Sequence, residues 1–286
     1  MSHSGHRDSG SLGDRQFLRM ADFIRTRSGI KIPPSKKLFL EGRIRRRIRR
    51  IGFKTMDDYC RWLFEEGGLA HDESALLDAV TTNKTDFFRE RHHFEFLTNV
   101  VLPDVRAASG GSRRPLLIWS AGCSNGAEPY SLAMICADFA RKNPGFDFEI
   151  VASDISTEVL RTAARAIYPH NAIGPVSDDL RRRYLLHDPR KDEVRITADL
   201  RRKVTFKHHN LVDEPYPASQ GTDIVFCRNI LIYFERTTQS VVLSRLCRYL
   251  RPGGYLFLGH SEGSIADLNL PLRPVAPTTF LREEDR

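Results

Sequence analysis

From Pro115 onward the chain alternates short apolar runs with amphipathic stretches, and this alternation restricts the fold more than any other feature. PLLIWSAG, FEIVASDI, VTFKHHNL, TDIVFCRN and GGYLFLGH are the apolar runs, several rich in β-branched or aromatic residues. Between them, YSLAMICADFARK, STEVLRTAARAIY and TTQSVVLSRLCRYL carry helical spacing. Strands alternating with helices give a mostly parallel sheet with helices on both faces. Ligands of such sheets bind beyond the carboxyl ends of the strands, where the strand order reverses. The residues just after each strand are therefore the candidates. Between Pro169 and Lys203 the alternation breaks into a long, charged, loop-like stretch, with VRIT as a short strand of a small inserted subdomain.

Before the sheet the pattern is helical. RQFLRMADFIRTRSGI and SKKLFLEGRIRRRIRRIGF repeat apolar residues at three and four, and Gly52 is a C-terminal stop. The expected organisation is a disordered tail over residues 1–13, a helical domain over 14–80, a linker over 81–114 and an α/β domain over 115–286, with its insertion at about 170–203. The formal net charge is +8, which favours an acidic partner: nucleic acid, an anionic membrane surface or an acidic protein. Five cysteines without a CxxC pair argue against a disulfide framework or structural zinc and for a reducing compartment. The polar N-terminus is no signal peptide, and no apolar run is long enough to span a bilayer. The expectation is a cytoplasmic protein with no membrane insertion.

The first strand leads into AGCSNGAEPYS. Gly122 and Gly126 permit a close ligand approach, and Glu128 places a negative charge where a phosphate binder presents bare amides or a lysine. That suits a cationic ligand; a helix first-turn acid is the bland alternative. Asp154, ending the second strand, is placed to accept hydrogen bonds from ribose hydroxyls, with Ser156 free to cap the next helix. A ribose-reading acid beside a loop unsuited to phosphate suggests a nucleoside with a positive group, and S-adenosylmethionine is one. Asn210 follows the third strand as an adenine reader or a turn cap. Arg228 and Asn229 follow the fourth, with Tyr233 one turn beyond. Arg228 needs a carboxylate partner, either the methionine carboxylate of the cofactor or an internal acid. His92 and His93 are adjacent, and neighbours on a helix diverge, so no metal is expected.

TTNKTDFFRERHHF, WSAGCSNGAEPYSLA, ASDIS, FCRNILIYF and LRPGGYLFLGHSE, in this order, resemble the chemotaxis receptor methyltransferases, the CheR family. The resemblance covers about Asp14 to Arg282. It implies a class I S-adenosylmethionine-dependent methyltransferase, Rossmann-like with a mostly parallel sheet, an N-terminal all-α domain and a small inserted β-subdomain. It implies protein-glutamate O-methylation of the cytoplasmic helical bundle of chemoreceptors. Asn83, Thr85 and Arg89 match the family's linker contacts to the cofactor. Glu128 and Asp154 match its acidic ligands, and Asn210, Leu211, Arg228 and Asn229 the later ones; Gly122 belongs to the same loop. Tyr233 matches a tyrosine near the transfer site, and Arg89 is expected to position a carboxylate there. Asn125 and Ala127 stand where the family loop has Thr and Glu. LLHDPRKDEV lacks the GxG extension of receptor-tail-binding members, which places this chain among those that do not tether to a C-terminal pentapeptide.

On the helix GRIRRRIRRIG, Leu40, Ile44, Ile48 and Ile51 share one side, while Arg43, Arg46, Arg47 and Arg50 form an adjacent stripe. So many unneutralised arginines repel one another unless a partner is bound. With the resemblance, the stripe is expected to dock an acidic receptor bundle rather than nucleic acid. The rival readings are a nucleic-acid methyltransferase and a non-catalytic scaffold. Against the first, RNIL follows the fourth strand where base amino-methylation uses Asn or Asp, Pro-Pro and an aromatic. A monomer is expected.

Overall fold

The computed structural model describes residues 11–108, 114–263 and 268–284. Most of the expected tail, part of the expected linker and the last two residues lie outside them. Within the tail, Leu12 is buried and its N–H donates to Glu41 at 3.1 Å, so order begins before Asp14. The chain forms two compact units, one running to Thr82 and taking in Tyr233–Glu235, the other holding Asn83–Ile232 and the chain from Arg236.

In the first unit are α1 (Asp14–Ser28), α2 (Lys37–Ile51), α3 (Met56–Glu65) and α4 (Leu69–Val80). Their apolar stripes meet in a core that includes Met20, Ile24, Leu40, Ile44, Tyr59 and Leu76. Gly52 ends α2 in the left-handed region at φ 85°, its N–H donating to Ile48 at 2.9 Å. The arginine stripe is less uniform than its spacing suggests. Arg47 is four-fifths buried and pairs with Asp72 of α4, which also accepts from Tyr59 Oη at 2.7 Å. Arg45 pairs with Glu41 at 2.5 Å, and the Arg43 guanidinium lies 4.9 Å from the centre of the Phe39 ring. Burial, and then Arg46, hold Arg43 below the usual arginine range. Only Arg46 and Arg50, both exposed, keep the character expected of the whole stripe. The repulsion inferred from the sequence is thus partly neutralised within the unit.

In the second unit a seven-stranded sheet has the order β6-β2-β1-β7-β8-β10-β9. Its strands are β1 (Leu116–Ala121), β2 (Phe148–Asp154), β6 (Val204–His208), β7 (Thr222–Cys227), β8 (Leu250–Leu258), β9 (Leu272–Ala276) and β10 (Thr279–Arg282). β6 through β8 pair in parallel, and β10 runs antiparallel between β8 and β9. Order therefore reverses between β1 and β7. β1 and β7 are buried nearly throughout, as a sheet covered on both faces requires. Phe226 and Phe257 stack at 4.2 Å in its core. α5 (Arg91–Phe96) and α6 (Leu102–Ala108) precede β1, and α7 (Ala127–Lys142), α8 (Thr157–Arg165) and α11 (Arg236–Tyr249) follow β1, β2 and β7.

The insertion is more regular than the sequence suggested. β3 (Ile167–Pro169), β4 (Leu185–Asp188) and β5 (Glu193–Ile196) form an antiparallel sheet in the order β3-β5-β4, with short helices α9 (Asp178–Tyr184) and α10 (Ala198–Arg202). The helical reading through Tyr168 overshoots. Ala166 turns at φ 55°, and Pro169 disfavours helical angles at Tyr168, so Ile167–Pro169 extends as a strand.

Replacing Asp72 with Ala would leave Arg47 without its carboxylate and Tyr59 without its acceptor. We expect a loss of about 3 kcal/mol in denaturant unfolding. Arg50→Ala, on the exposed face, should change stability by less than about 0.5 kcal/mol.

Candidate active site

The carboxyl ends of β1, β2, β6 and β7 and the chain between Asn83 and Glu90 meet at the reversal of strand order. After β1, Gly122 and Cys123 donate from their backbone N–H groups to the Ser153 carbonyl at 2.7 and 2.9 Å. Ser124 N–H donates to Asp154 Oδ2 at 2.8 Å, and Ser124 Oγ to the Asn83 carbonyl at 2.8 Å. Gly126 turns into α7 at φ 90°, where a Cβ would lie 2.8 Å from Ala163 and 2.9 Å from the Tyr168 hydroxyl. The glycine loop, the end of β2 and Asn83 are thus tied by direct bonds.

Asp154 is buried, and its Oδ1 accepts from Ser156 N–H at 2.9 Å. Ser156 itself caps α8 by accepting from Val159 N–H, as its position predicts. Beyond β6, His209 N–H donates to the Asp154 carbonyl at 2.9 Å, which brings the following Asn210 and Leu211 beside Asp154. Asn210 Oδ1 faces Val212 N–H at 3.4 Å, the turn-capping alternative, and Leu211 is buried.

Arg228, just past β7, is the central cation. Its Nη1 donates to Glu128 Oε2 at 3.0 Å, and its Nη2 lies 3.2 Å from Glu90 Oε2 and also donates to the Arg89 carbonyl. The internal-acid alternative is therefore realised, with two acids rather than one. Glu128 also accepts from Ser120 Oγ at 2.7 Å. Burial pushes Glu128 above the usual carboxylate range, against the pull of Arg228. Burial also pushes Glu90 up, but Arg228, the Asn229 amide and His260 N–H outweigh it and leave Glu90 low. The Arg89 side chain is exposed and donates to the Lys84 carbonyl at 3.0 Å; Thr85 is half-buried nearby in sequence. The Tyr233 carbonyl accepts from Lys31 N–H at 2.8 Å, and its segment belongs to the helical unit. Cys123 and Cys227 are buried, and burial raises both thiols, consistent with packing rather than nucleophilic roles.

Two acids were missed from the sequence. Glu90, next to Arg89, accepts from Asn229 Nδ2 at 3.1 Å across 139 residues. Glu262, in the LGHSE motif, is buried and accepts from the N–H groups of Asn229 and Gly259 at 2.7 Å each and of Ile232 at 3.2 Å. It holds Asn229 at φ 59°, a conformation asparagine tolerates better than most residues. A Cβ on Gly259 would lie 2.6 Å from Glu262 Oε2, so only glycine leaves this clamp room. No local signal marks either acid, because each meets Asn229 far along the chain. His92 and His93 also differ from expectation: their ring centroids are 4.2 Å apart. His93 is fully buried, its Nε2 2.9 Å from Thr278 Oγ1. Burial, then Arg228 and His92, push its pKa down to about 4.

The site thus sets Glu90 and Glu128 around one buried guanidinium, with a third acid, Asp154, at the end of β2. That charge pattern fits a nucleoside bearing a cationic centre and opposes pyrophosphate. With the strand order, it defines a Rossmann-like, class I S-adenosylmethionine-dependent methyltransferase. Two family descriptions match the chain: "CheR methyltransferase, SAM binding domain" over residues 83–275 and "CheR methyltransferase, all-alpha domain" over residues 15–81. A chemotaxis protein methyltransferase of Borreliella burgdorferi is 35% identical over 267 residues, covering 93% of both chains. One of Escherichia coli is 37% identical over 254 residues, covering 88% of this chain and 85% of its own. Chemotaxis protein methyltransferase 2 of Pseudomonas aeruginosa is 34% identical, covering 92% and 91%. The chain belongs to the CheR methyltransferase family.

Two outcomes follow from the network. Because His93 titrates lower folded than unfolded, its contribution to stability is complete above about pH 6.5 and declines as pH falls toward 4. The loss should reach about 3 kcal/mol, and His93→Gln should flatten that part of a stability–pH curve. Glu262→Ala should free three N–H groups, lower stability by about 3 kcal/mol and weaken S-adenosylhomocysteine binding in calorimetry.

Proposed function

We propose that this chain methylates glutamate carboxylates on the cytoplasmic helical bundle of chemoreceptors, acting in the cytoplasm as a monomer. The observation that carries the cofactor reading is the carboxylate set around Arg228, whose buried Nε has no acceptor among the described residues. Arg228 is assigned to the cofactor's carboxylate, with Glu128 fixing its guanidinium. Asp154 is assigned to the ribose, and Gly122 to the close approach of the chain. Asn83, Thr85, Asn210, Leu211 and Asn229 complete the cofactor-binding set. Among the described residues no helix is long and apolar enough to cross a membrane, consistent with action on the cytoplasmic part of a receptor.

S-adenosylmethionine, when bound, supplies a methyl group on an electrophilic sulfonium. A glutamate side chain is already ionised at neutral pH, so its attack needs no general base. A carboxylate oxygen bonds to the methyl carbon as the carbon–sulfur bond breaks, and sulfur keeps the electron pair. The protein's task is alignment and proximity. Arg89, exposed at the edge of the network, is assigned to the incoming carboxylate, and Tyr233 to the lining of the transfer site. Arg46 and Arg50 supply the strongest docking charge; Arg43 adds to it, whereas Arg47 acts through Asp72 as part of the helical core.

The turn between β4 and β5, residues 189–192, contains no glycine and supports the absence of receptor-tail tethering. A receptor-tail pentapeptide should show no binding in calorimetry; micromolar binding would overturn this part of the reading.

The main test offers labelled S-adenosylmethionine with receptor cytoplasmic fragments and RNA as competing acceptors. Label on the receptor, released as methanol by mild base, is the expected result. Base-stable label on RNA would replace this reading with nucleic-acid methylation. Arg46→Glu with Arg50→Glu should lower receptor methylation at least about tenfold and leave cofactor affinity unchanged. Equal losses in both would sink the docking role.

A further inference from the structure

The inserted sheet carries a second cluster of chemistry-bearing side chains, unused by methyl transfer. His170 follows β3, His187 lies in β4, and Asp192 sits in the turn before β5. The strand pairing brings them together. Pro169 is opposite Glu193, and the His170 N–H donates to the Asp192 carbonyl at 2.8 Å. His187 pairs with Val194 of the central strand, as does Tyr168, and His170 stands one residue past the end of β3. The two imidazole centroids are 4.7 Å apart. One ligand atom from each of the three side chains lies within 4.8 Å of the other two. All three are exposed, and none has a side-chain hydrogen bond or ion pair among the described residues.

We propose that His170, His187 and Asp192 form a divalent transition-metal site of the zinc type. Two imidazoles and one carboxylate are a ligand set that Zn2+ accepts, leaving an open coordination position for water. Bonds to zinc near 2.0–2.1 Å place tetrahedral ligand atoms about 3.3 Å apart. Exposed side chains close that gap by rotation about χ1 and χ2, with no movement of the sheet. Local charge permits a cation, because Asp188, Asp192 and Glu193 offset Arg190, Lys191 and Arg195. Asp192 is held at φ 52°, which fixes its approach. The ion would join the two outer strands of the small sheet across its central strand. The sequence reading weighed only His92 with His93 and missed this pair, because sixteen residues, including α9, separate its members.

The full chain titrated with ZnCl2 in calorimetry, and with Co2+ followed by visible absorption, tests the proposal. His3→Ala and His6→Ala are made first, so that the N-terminal histidines add no signal. We expect one equivalent of Zn2+ to bind. His187→Ala should weaken binding at least about tenfold. Asp192→Asn should do the same while keeping the turn, since asparagine tolerates positive φ. His92→Ala should leave the affinity unchanged, because it touches only the alternative cluster of Glu90, His92 and His93. Zn2+ affinity equal in the parent and in a His170→Ala, His187→Ala double variant would overturn the site, as would loss of binding in His92→Ala alone. Unchanged S-adenosylhomocysteine affinity in each variant certifies that the chain has folded.

Discussion

Arg228 is a guanidinium taken almost wholly out of water, and the organisation of the cleft follows from how it is satisfied. Removing such an ion from water costs several kcal/mol even after relaxation. Here two carboxylates and one carbonyl meet it, from α7, from Glu90 and from Arg89. These groups arrive from two separate parts of the chain, residues 89–90 and α7, so satisfying one ion fixes both against the end of β7. Glu262 does the complementary task with opposite charge, collecting two N–H groups of the turn that Arg228 begins and that of Gly259 after β8. Acid and base networks meet at Asn229, which gives its backbone to Glu262 and its side chain to Glu90.

The same geometry separates two roles that look alike in sequence. Glu128 is buried deeply enough that burial raises its pKa, so its negative charge exists by virtue of Arg228 rather than as a free attractor. Asp154 instead accepts from the backbone amides of Ser124 and Ser156. Of the two acids after β1 and β2, one therefore orients the cation and the other ties the glycine loop to the end of β2.

Much of the fold was legible because burial imposes periodicity. β1, β2, β6 and β7 each begin within an apolar run, β8 begins at Leu250 just ahead of its run, and Gly52 stops α2 where expected. The errors lie where a local signal competed with a neighbour. Ile167 continued a helical pattern until Pro169 drew it into a strand. The insertion looked like loop because its strands are only three or four residues long and half exposed. In the site, residues at strand ends were found because topology says where to look. Glu90 and Glu262 were not, since nothing local marks an acid whose partner is 139 or 33 residues away. Arg47 was misjudged for the same reason: Asp72 lies one helix pair further along.

The reach of those contacts has a consequence for synthesis. A chain emerging from the ribosome presents Glu90 and Glu128 long before Arg228, and Arg228 before Glu262. Until residue 262 has emerged, the turn after β7 has amides without an acceptor, and until residue 278 has emerged, His93 lacks its hydroxyl partner. Contacts of such high sequence separation are slow to close. The helical unit's N-terminal stretch, made of local contacts, can fold early, whereas the cleft matures only when translation is nearly finished. A growing chain therefore holds its arginine face well before it holds its cofactor site.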